Sequence, residues 1–275
     1  MTTPPTPNVA VGPQYDTVHV YVPPADFARF VSSLFATFGD ATLKRDPYTV
    51  TVTPTPSTAK WHLVLTPVGS FSVFGYTTPV PFPFSTERAG YLVSDMDLAV
   101  SAARANGAAL IVAPFKDAIG KDAVIQWPGG VNMQLYWHTT PPSYPSLQTI
   151  PEARVYVSPD RVTAFTQSFV GFSHGKIVSD NPTAPGIEIG RPKETYRRIR
   201  IESAFGKLAV LVTDGHLPFP YGRDVAGYEV ANLDDALARA TAAGATVLDG
   251  PYRAEERNIA LVQFPGGYIA EIHSA

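Results

Sequence analysis

Gln126–Trp127–Pro128–Gly129–Gly130 and Gln263–Phe264–Pro265–Gly266–Gly267 are nearly one pentapeptide written twice, 137 positions apart. At the same spacing Ala89–Gly90–Tyr91 returns as Ala226–Gly227–Tyr228, Gly107 as Gly244 and Pro114 as Pro251, with no gap between them. Further upstream Pro81–Phe82–Pro83–Phe84 matches Pro218–Phe219–Pro220–Tyr221, Gly69 matches Gly206 and Val73 matches Val210. Val20–Tyr21–Val22 with Pro24 matches Val155–Tyr156–Val157 with Pro159 at a spacing of 135. A fixed long period of this kind marks a tandem duplication, here of one unit joined to its copy near Pro141–Pro151.

Each copy is itself doubled. Val18, Val20 and Val22 alternate with Thr17, His19 and Tyr21, the period of a strand with one buried face. Phe27, Phe30, Val31, Leu34 and Phe35 then recur at helical spacing, up to a stop at Gly39. A strand at Tyr91–Val93 and a helix from about Asp97 to Gly107 restart the pattern, with Asp97 and Asp234 expected to cap helix starts. Strands around Val124–Trp127 and Val131–Trp137 close the half, turning on Pro128–Gly129–Gly130. Pro79–Val80–Pro81–Phe82–Pro83 and Pro141–Pro142–Ser143–Tyr144–Pro145 read as joints, because proline cannot donate to a ladder. The expected protein is therefore α+β, with four strand–helix–strand–strand–strand modules in two tandem domains, residues 15–140 and 150–275, behind a flexible tail of residues 1–14.

Composition excludes several classes of function. Of 275 residues 45% are hydrophobic and 16% charged, and the net charge of −3 offers no electrostatic footprint for nucleic acid or an anionic bilayer. With no cysteine, disulfides, thiolate zinc sites, iron–sulfur clusters and a cysteine nucleophile are all excluded. Charges, Pro or Gly interrupt every apolar run before the ~18 residues that a spanning helix needs, and the start carries no secretory pattern, so the expected location is cytoplasmic. No Gly-x-Ser-x-Gly, P-loop, dinucleotide Gly-x-Gly-x-x-Gly or His-Glu-x-x-His motif is present.

A βαβββ unit used four times and closed by strand–Pro–Gly–Gly–strand resembles the vicinal oxygen chelate superfamily, which includes glyoxalase, the bleomycin resistance proteins and the ring-cleaving dioxygenases. The resemblance runs from Tyr15 to His273. It implies glyoxalase-like domains in which two modules curve around a ligand cleft, with metal ligands drawn from the first and last strands of modules. At those positions the first copy has His19, Tyr91 and Gln134, and the second has Arg154, Tyr228 and Glu271. A catalytic divalent ion takes about three protein ligands, such as two histidines and a carboxylate. Neither copy supplies that set. Some four-module members pair the first module with the fourth, and His19 with Glu271 is then the candidate, incomplete metal pair. No cofactor is expected, a divalent metal being the alternative.

The polar face of each strand shows what a cleft is made of. In the second copy Arg198, Arg200 and Glu202 alternate with Ile199 and Ile201, alongside Arg154, Tyr228, Glu271 and His273. Their first-copy counterparts are Trp61, Leu63 and Leu65, alongside His19, Tyr21, Tyr91, Gln134 and Tyr136. One cleft is aromatic and suits an apolar ligand. The other is charged, and its arginines suit a carboxylate, a structural ion-pair network being the other reading. The expected function is therefore binding of a small organic ligand, as in the bleomycin resistance branch. The alternatives are a metal-dependent lyase, isomerase or dioxygenase, and a metal-free acid/base enzyme using Glu271, Tyr228 and Arg154 as catalytic groups. Four modules in one chain suit a monomer, with a homodimer as the alternative, and the partner is a small molecule.

Overall fold

The alternating valines form strand β1 (Val18–Val22), and the aromatic stripe that follows forms helix α1 (Phe27–Phe38), which ends where Gly39 takes a φ of 67° and donates its N–H to Phe35. The computed structural model describes residues 6–12, 18–39, 42–46, 57–79, 87–116, 120–140, 143–144, 146 and 149–275. Asp16, Thr17 and the Pro81–Phe84 joint lie outside the described residues. Strands β2 (Thr42–Asp46), β3 (Ala59–Thr66) and β4 (Gly69–Tyr76) complete the first module. The second runs β5 (Glu87–Leu92), α2 (Met96–Ala105), β6 (Ala109–Lys116), β7 (Gly120–Gln126) and β8 (Asn132–His138). The third is β9 (Glu152–Val157), α3 (Val162–Ser173), β10 (Lys176–Pro185), β11 (Thr195–Ser203) and β12 (Gly206–Val212). The fourth is β13 (Val225–Glu229), α4 (Leu233–Ala242), β14 (Thr246–Ala254), β15 (Arg257–Gln263) and β16 (Ile269–Ser274).

Each half folds into one eight-stranded sheet, and the two orders correspond strand for strand: β2-β3-β4-β1-β5-β8-β7-β6 and β10-β11-β12-β9-β13-β16-β15-β14. Within a sheet, then, the first module joins the second and the third joins the fourth, through the antiparallel pairs β1/β5 and β9/β13. The helix caps differ from expectation by two residues. Asp95 accepts from the Leu98 N–H at 2.7 Å and Asn232 from the Asp235 N–H at 3.1 Å, so Asp97 and Asp234 stand in the first turn, where acidic groups still suit the helix dipole. Residues 6–12 are the described part of the expected tail. Val9 is 0% exposed, and Ala10 bridges to Val93, because the helix-side core of the second module takes up this valine.

First and fourth modules do meet, but through their helices. One core gathers Phe30, Leu34 and Phe38 of α1 and Val20, Phe71 and Val73 of the first sheet with Leu233 and Ala240 of α4, Tyr228 and Ile272 of the second sheet, and Phe264 at the turn that follows β15. Arg239 ties the helices together by donating to the Thr37 carbonyl at 3.0 Å. A second core does the same for modules two and three, around Met96, Trp127, Phe165, Phe172 and Val210. Burying large side chains such as Phe30, Phe71, Phe165 and Phe172 contributes on the order of 1.5–3 kcal/mol each.

The Pro–Gly–Gly turns sit at these joints. Gly129 (φ 94°) and Gly266 (φ 87°) need left-handed backbone, and a Cβ on either would come 3.0 Å from Val157 or 3.2 Å from Val22, each in the opposite half. The helices lie on one side of each sheet. The other, inner side carries the candidate sites.

Candidate functional site

Period-two alternation decides which side chains reach the inner faces. In the first sheet β1 sends Val18, Val20 and Val22 to the helix core and His19 and Tyr21 inward, while β8 sends Met133 and Leu135 to the core and Gln134 and Tyr136 inward. Tyr21, Phe74 and Trp61 stand in register across three strands, with Tyr21 and Phe74 stacked at 5.4 Å. Tyr76, Ala59 and Val124 pack with them, with Val112 and Phe115 at the border. Leu63 is buried on the same face, in register with Ser72 of β4, which is itself the register partner of His19.

Deeper in, His19 lies with its ring centre 5.8 Å from Phe74 and 6.2 Å from Tyr136. Gly90 keeps this space open, since a Cβ there would stand 3.3 Å from the Tyr136 ring and 3.4 Å from His19 Nε2. Its strand partner is Gln134, which is 0% exposed. Neither the Nε2 nor the Oε1 of Gln134 has a hydrogen-bond partner among the described residues. A buried amide without partners costs about 1–3 kcal/mol. Among the described residues both polar atoms of this amide stand in a largely aromatic wall with no hydrogen bond to account for them.

The second sheet puts ion pairs in the same places. Arg154 Nε lies 2.5 Å from Glu271 Oε2, with the side chains 4% and 1% exposed. Glu271 Oε1 meets His273 Nδ1 at 2.9 Å, and Arg154 Nη1 also reaches Glu152 at 3.2 Å. Glu152 takes a second arginine, Arg257, at 3.1 Å. Burial would raise the Glu152 carboxyl, but Arg154 and Arg257 outweigh it and hold the group down to about 2. Further along, Arg198 pairs with buried Glu188 at 2.6 Å and with Glu255 at 2.5 Å. Tyr196 donates to Glu188 at 2.5 Å, and burial together with that carboxylate pushes its hydroxyl up.

Arg200 differs from these three arginines. It is half-buried on the same inner face, in register with Ala209 and, beyond it, Arg154. It has no ion-pair or hydrogen-bond partner among the described residues, and its Nε is buried and unbonded. Burial, followed by the like charges of Arg198 and Arg257, pushes its guanidinium down from the ordinary arginine value.

Three expected site residues lie elsewhere. Tyr228 belongs to the helix-side core, where its hydroxyl shares a 2.7 Å hydrogen bond with Tyr268 and its ring packs 5.2 Å from Phe38 and from Phe71. Tyr91 likewise faces the other core and meets Phe205 edge-on at 5.8 Å. The inward residue of each Ala–Gly–Tyr is the glycine, Gly90 or Gly227, which supplies no side chain. Glu202 is exposed near the end of β11, away from the network. His19, Tyr21, Trp61, Gln134 and Tyr136 are brought together, as are Arg154, Arg198, Arg200 and Glu271. Sequence reasoning missed Glu152, Glu188, Glu255, Arg257 and the buried Asp122 of β7. Glu152 was legible by alternation from Arg154, and Asp122 by alternation from Val124, whereas Glu188 comes from a short 3-10 turn, Gly186–Ile189, that no period announces.

These residues do not fit a divalent metal. Among the described residues no group of three or more His, Asp or Glu side chains is placed to hold one. In the first sheet the four strands meeting at the centre offer one imidazole (His19), a hydroxyl (Ser72), a glycine (Gly90) and a neutral amide (Gln134). In the second they offer Arg154, Ala209, Gly227 and Glu271, and the Arg154 guanidinium is already bonded to the Glu271 carboxylate and to Glu152. A fixed cation there repels another. His19 and Glu271 stand in different sheets, so the first-with-fourth pairing does not unite them.

No family model matches the chain, and no curated protein matches it. Solved structures do. A 4-hydroxymandelate synthase variant from Streptomyces coelicolor shares 12% identity at a TM-score of 0.60, over 96% of this chain and 92% of that one. Homoprotocatechuate 2,3-dioxygenase from Arthrobacter globiformis shares 11% at a TM-score of 0.61, over 100% and 82%. An Mn(II)-bound glyoxalase from Novosphingobium aromaticivorans shares 14% at a TM-score of 0.55, over 98% and 83%. The chain thus has the vicinal oxygen chelate fold, in the tandem arrangement.

Proposed function

We propose that the chain is a small-molecule-binding protein that works without a catalytic metal and takes its ligand on the inner face of the first sheet. The observation that carries this reading is the Gln134 amide, fully buried in an aromatic wall and without a hydrogen-bond partner among the described residues. Small-molecule sites are mostly apolar with a few placed polar groups. An amide presents one donor edge and one acceptor edge side by side. The matching ligand is a flat, apolar body ending in an adjacent donor and acceptor, such as a primary amide or a protonated carboxyl group. Tyr21, Trp61, Phe74 and Tyr136 supply the ring faces against which that body stacks.

The metal-free acid/base alternative loses its donor, since the Tyr228 hydroxyl is engaged with Tyr268 on the other side of the sheet. The metal-dependent alternative draws on the fold neighbours alone and asks for ligands that these strands do not carry. As to membranes, no helix among the described residues is long and apolar enough to cross one.

The test is calorimetric titration with benzamide as probe, in wild type and in Gln134→Met, which keeps the volume and removes both polar atoms. Saturable binding that weakens at least about tenfold in the variant supports the reading. Equal binding by both proteins, or none by either, rejects it.

A further inference from the structure

We propose that the inner face of the second sheet is a separate site for a small organic carboxylate, with Arg200 as its anchoring cation. This stands apart from the first-sheet reading and does not depend on it.

The inner face is an array of arginine–carboxylate pairs with one partner missing. Arg154 has Glu271 and Glu152, Arg257 has Glu152, and Arg198 has Glu188 and Glu255. Arg200 has none among the described residues, yet it projects from the same face, and the small Ala209 alone separates it in register from Arg154. An arginine placed for structure finds a carboxylate or carbonyl, as its three neighbours do. A half-buried guanidinium beside two like charges is costly to keep unless an anion arrives. The planar fork of guanidinium donors selects a carboxylate in particular.

The arriving group has a stand-in. Glu255 occupies the β14–β15 turn with a φ of 54°, unusual for a residue with a Cβ, and reaches across to Arg198 and to Asn181. Its side chain is 35% exposed, unlike Glu188, Glu152 and Glu271. Counted with Glu255, the four carboxylates balance the four arginines. Without it the face carries one excess positive charge, shared by Arg198 and Arg200. Glu255 therefore holds the Arg198 end of the position that a ligand carboxylate would take, and an incoming carboxylate competes with it.

Benzoate is the probe, with isosteric, uncharged benzamide as its control, measured calorimetrically at constant ionic strength in wild type, Arg200→Met, Glu255→Gln and Gln134→Met. The expected result is saturable benzoate binding in wild type, at least about tenfold weaker in Arg200→Met, several-fold tighter in Glu255→Gln and unchanged in Gln134→Met. If Arg200→Met fails to fold, the wild type still decides: the Arg200 Nε–Hε NMR signal must shift on benzoate addition and stay still with benzamide. Absence of benzoate binding, equal affinity in Arg200→Met, or an Arg200 signal that ignores benzoate overturns the proposal. Loss of benzamide binding in Gln134→Met bears on the first-sheet site alone, so the two readings fail separately.

Discussion

The guanidinium of Arg154 and the carboxylate of Glu271 face each other at 2.5 Å across the centre of the second sheet, both buried, where the fold's resemblance to metal enzymes leads one to expect a cation and its ligand. An organic cation supplied by the chain stands in that place. Breaking a buried pair by removing one partner leaves an uncompensated charge and costs about 3–5 kcal/mol, whereas replacing both partners by apolar groups of similar volume is often near neutral. Arg154→Met should accordingly destabilise by about 3–5 kcal/mol. Arg154→Met combined with Glu271→Leu should recover a large part of that loss, although Glu152 and His273 each lose a partner. Urea denaturation of the two variants measures both.

Gln134 reverses the usual expectation for a core substitution. Gln134→Met removes a buried amide that has no partner among the described residues, so it should stabilise the ligand-free protein by about 1 kcal/mol, even as it weakens binding at the first sheet by at least about tenfold. Thermal unfolding with and without benzamide shows whether stability and binding separate in this way.

The pH dependence follows from Glu152. Its folded value, about 2 against an ordinary 4.5, lies below the unfolded one. The contribution is therefore fully present above about pH 4.5 and is lost as pH falls towards 2, on the order of 3 kcal/mol in all. Glu152→Gln should be less stable at neutral pH and show a flatter stability profile across that window. Denaturation midpoints at a series of pH values from neutral to acid check the sign.

At the joints between halves, Gly266→Ala forces a Cβ to 3.2 Å from Val22 at a backbone φ of 87°. A loss of about 1–3 kcal/mol is expected, with Gly129→Ala showing the same at Val157. Gly267, also left-handed but with nothing within 4 Å of a Cβ, should cost less, about 1 kcal/mol. Equal losses at Gly266 and Gly267 would mean that the approach of the two halves is looser than described.

Much of this architecture was legible because two periods carry it. The valines of β1 and the aromatic stripe of α1 name their own elements, and the 137-residue spacing names the duplication. The tyrosines after Gly90 and Gly227 were misplaced for a physical reason: the inward residue has no side chain, and counting from its neighbour shifts the strand by one and exchanges its faces. The pairing of Arg154 with Glu271 could be read from strand positions. Glu188 and Glu255 could not, since one comes from a 3-10 turn and the other from a hairpin tip, and only the folded sheet brings them to Arg198. The second role of the Pro–Gly–Gly turns, as contact points between halves, was hidden because a turn motif accounts for itself locally.

The proposed function has a vicinal oxygen chelate fold binding its ligand in an aromatic cleft, beside a network of fixed charges, without a catalytic metal. Metal content tests it most directly. Purified protein would be incubated with Mn(II), Fe(II) and Zn(II) in turn, freed of unbound ions by gel filtration, and analysed by plasma mass spectrometry beside His19→Ala and Glu271→Gln. The account predicts far less than one ion per chain and the same trace in all three proteins. One ion retained per chain, and lost in either variant, would contradict it.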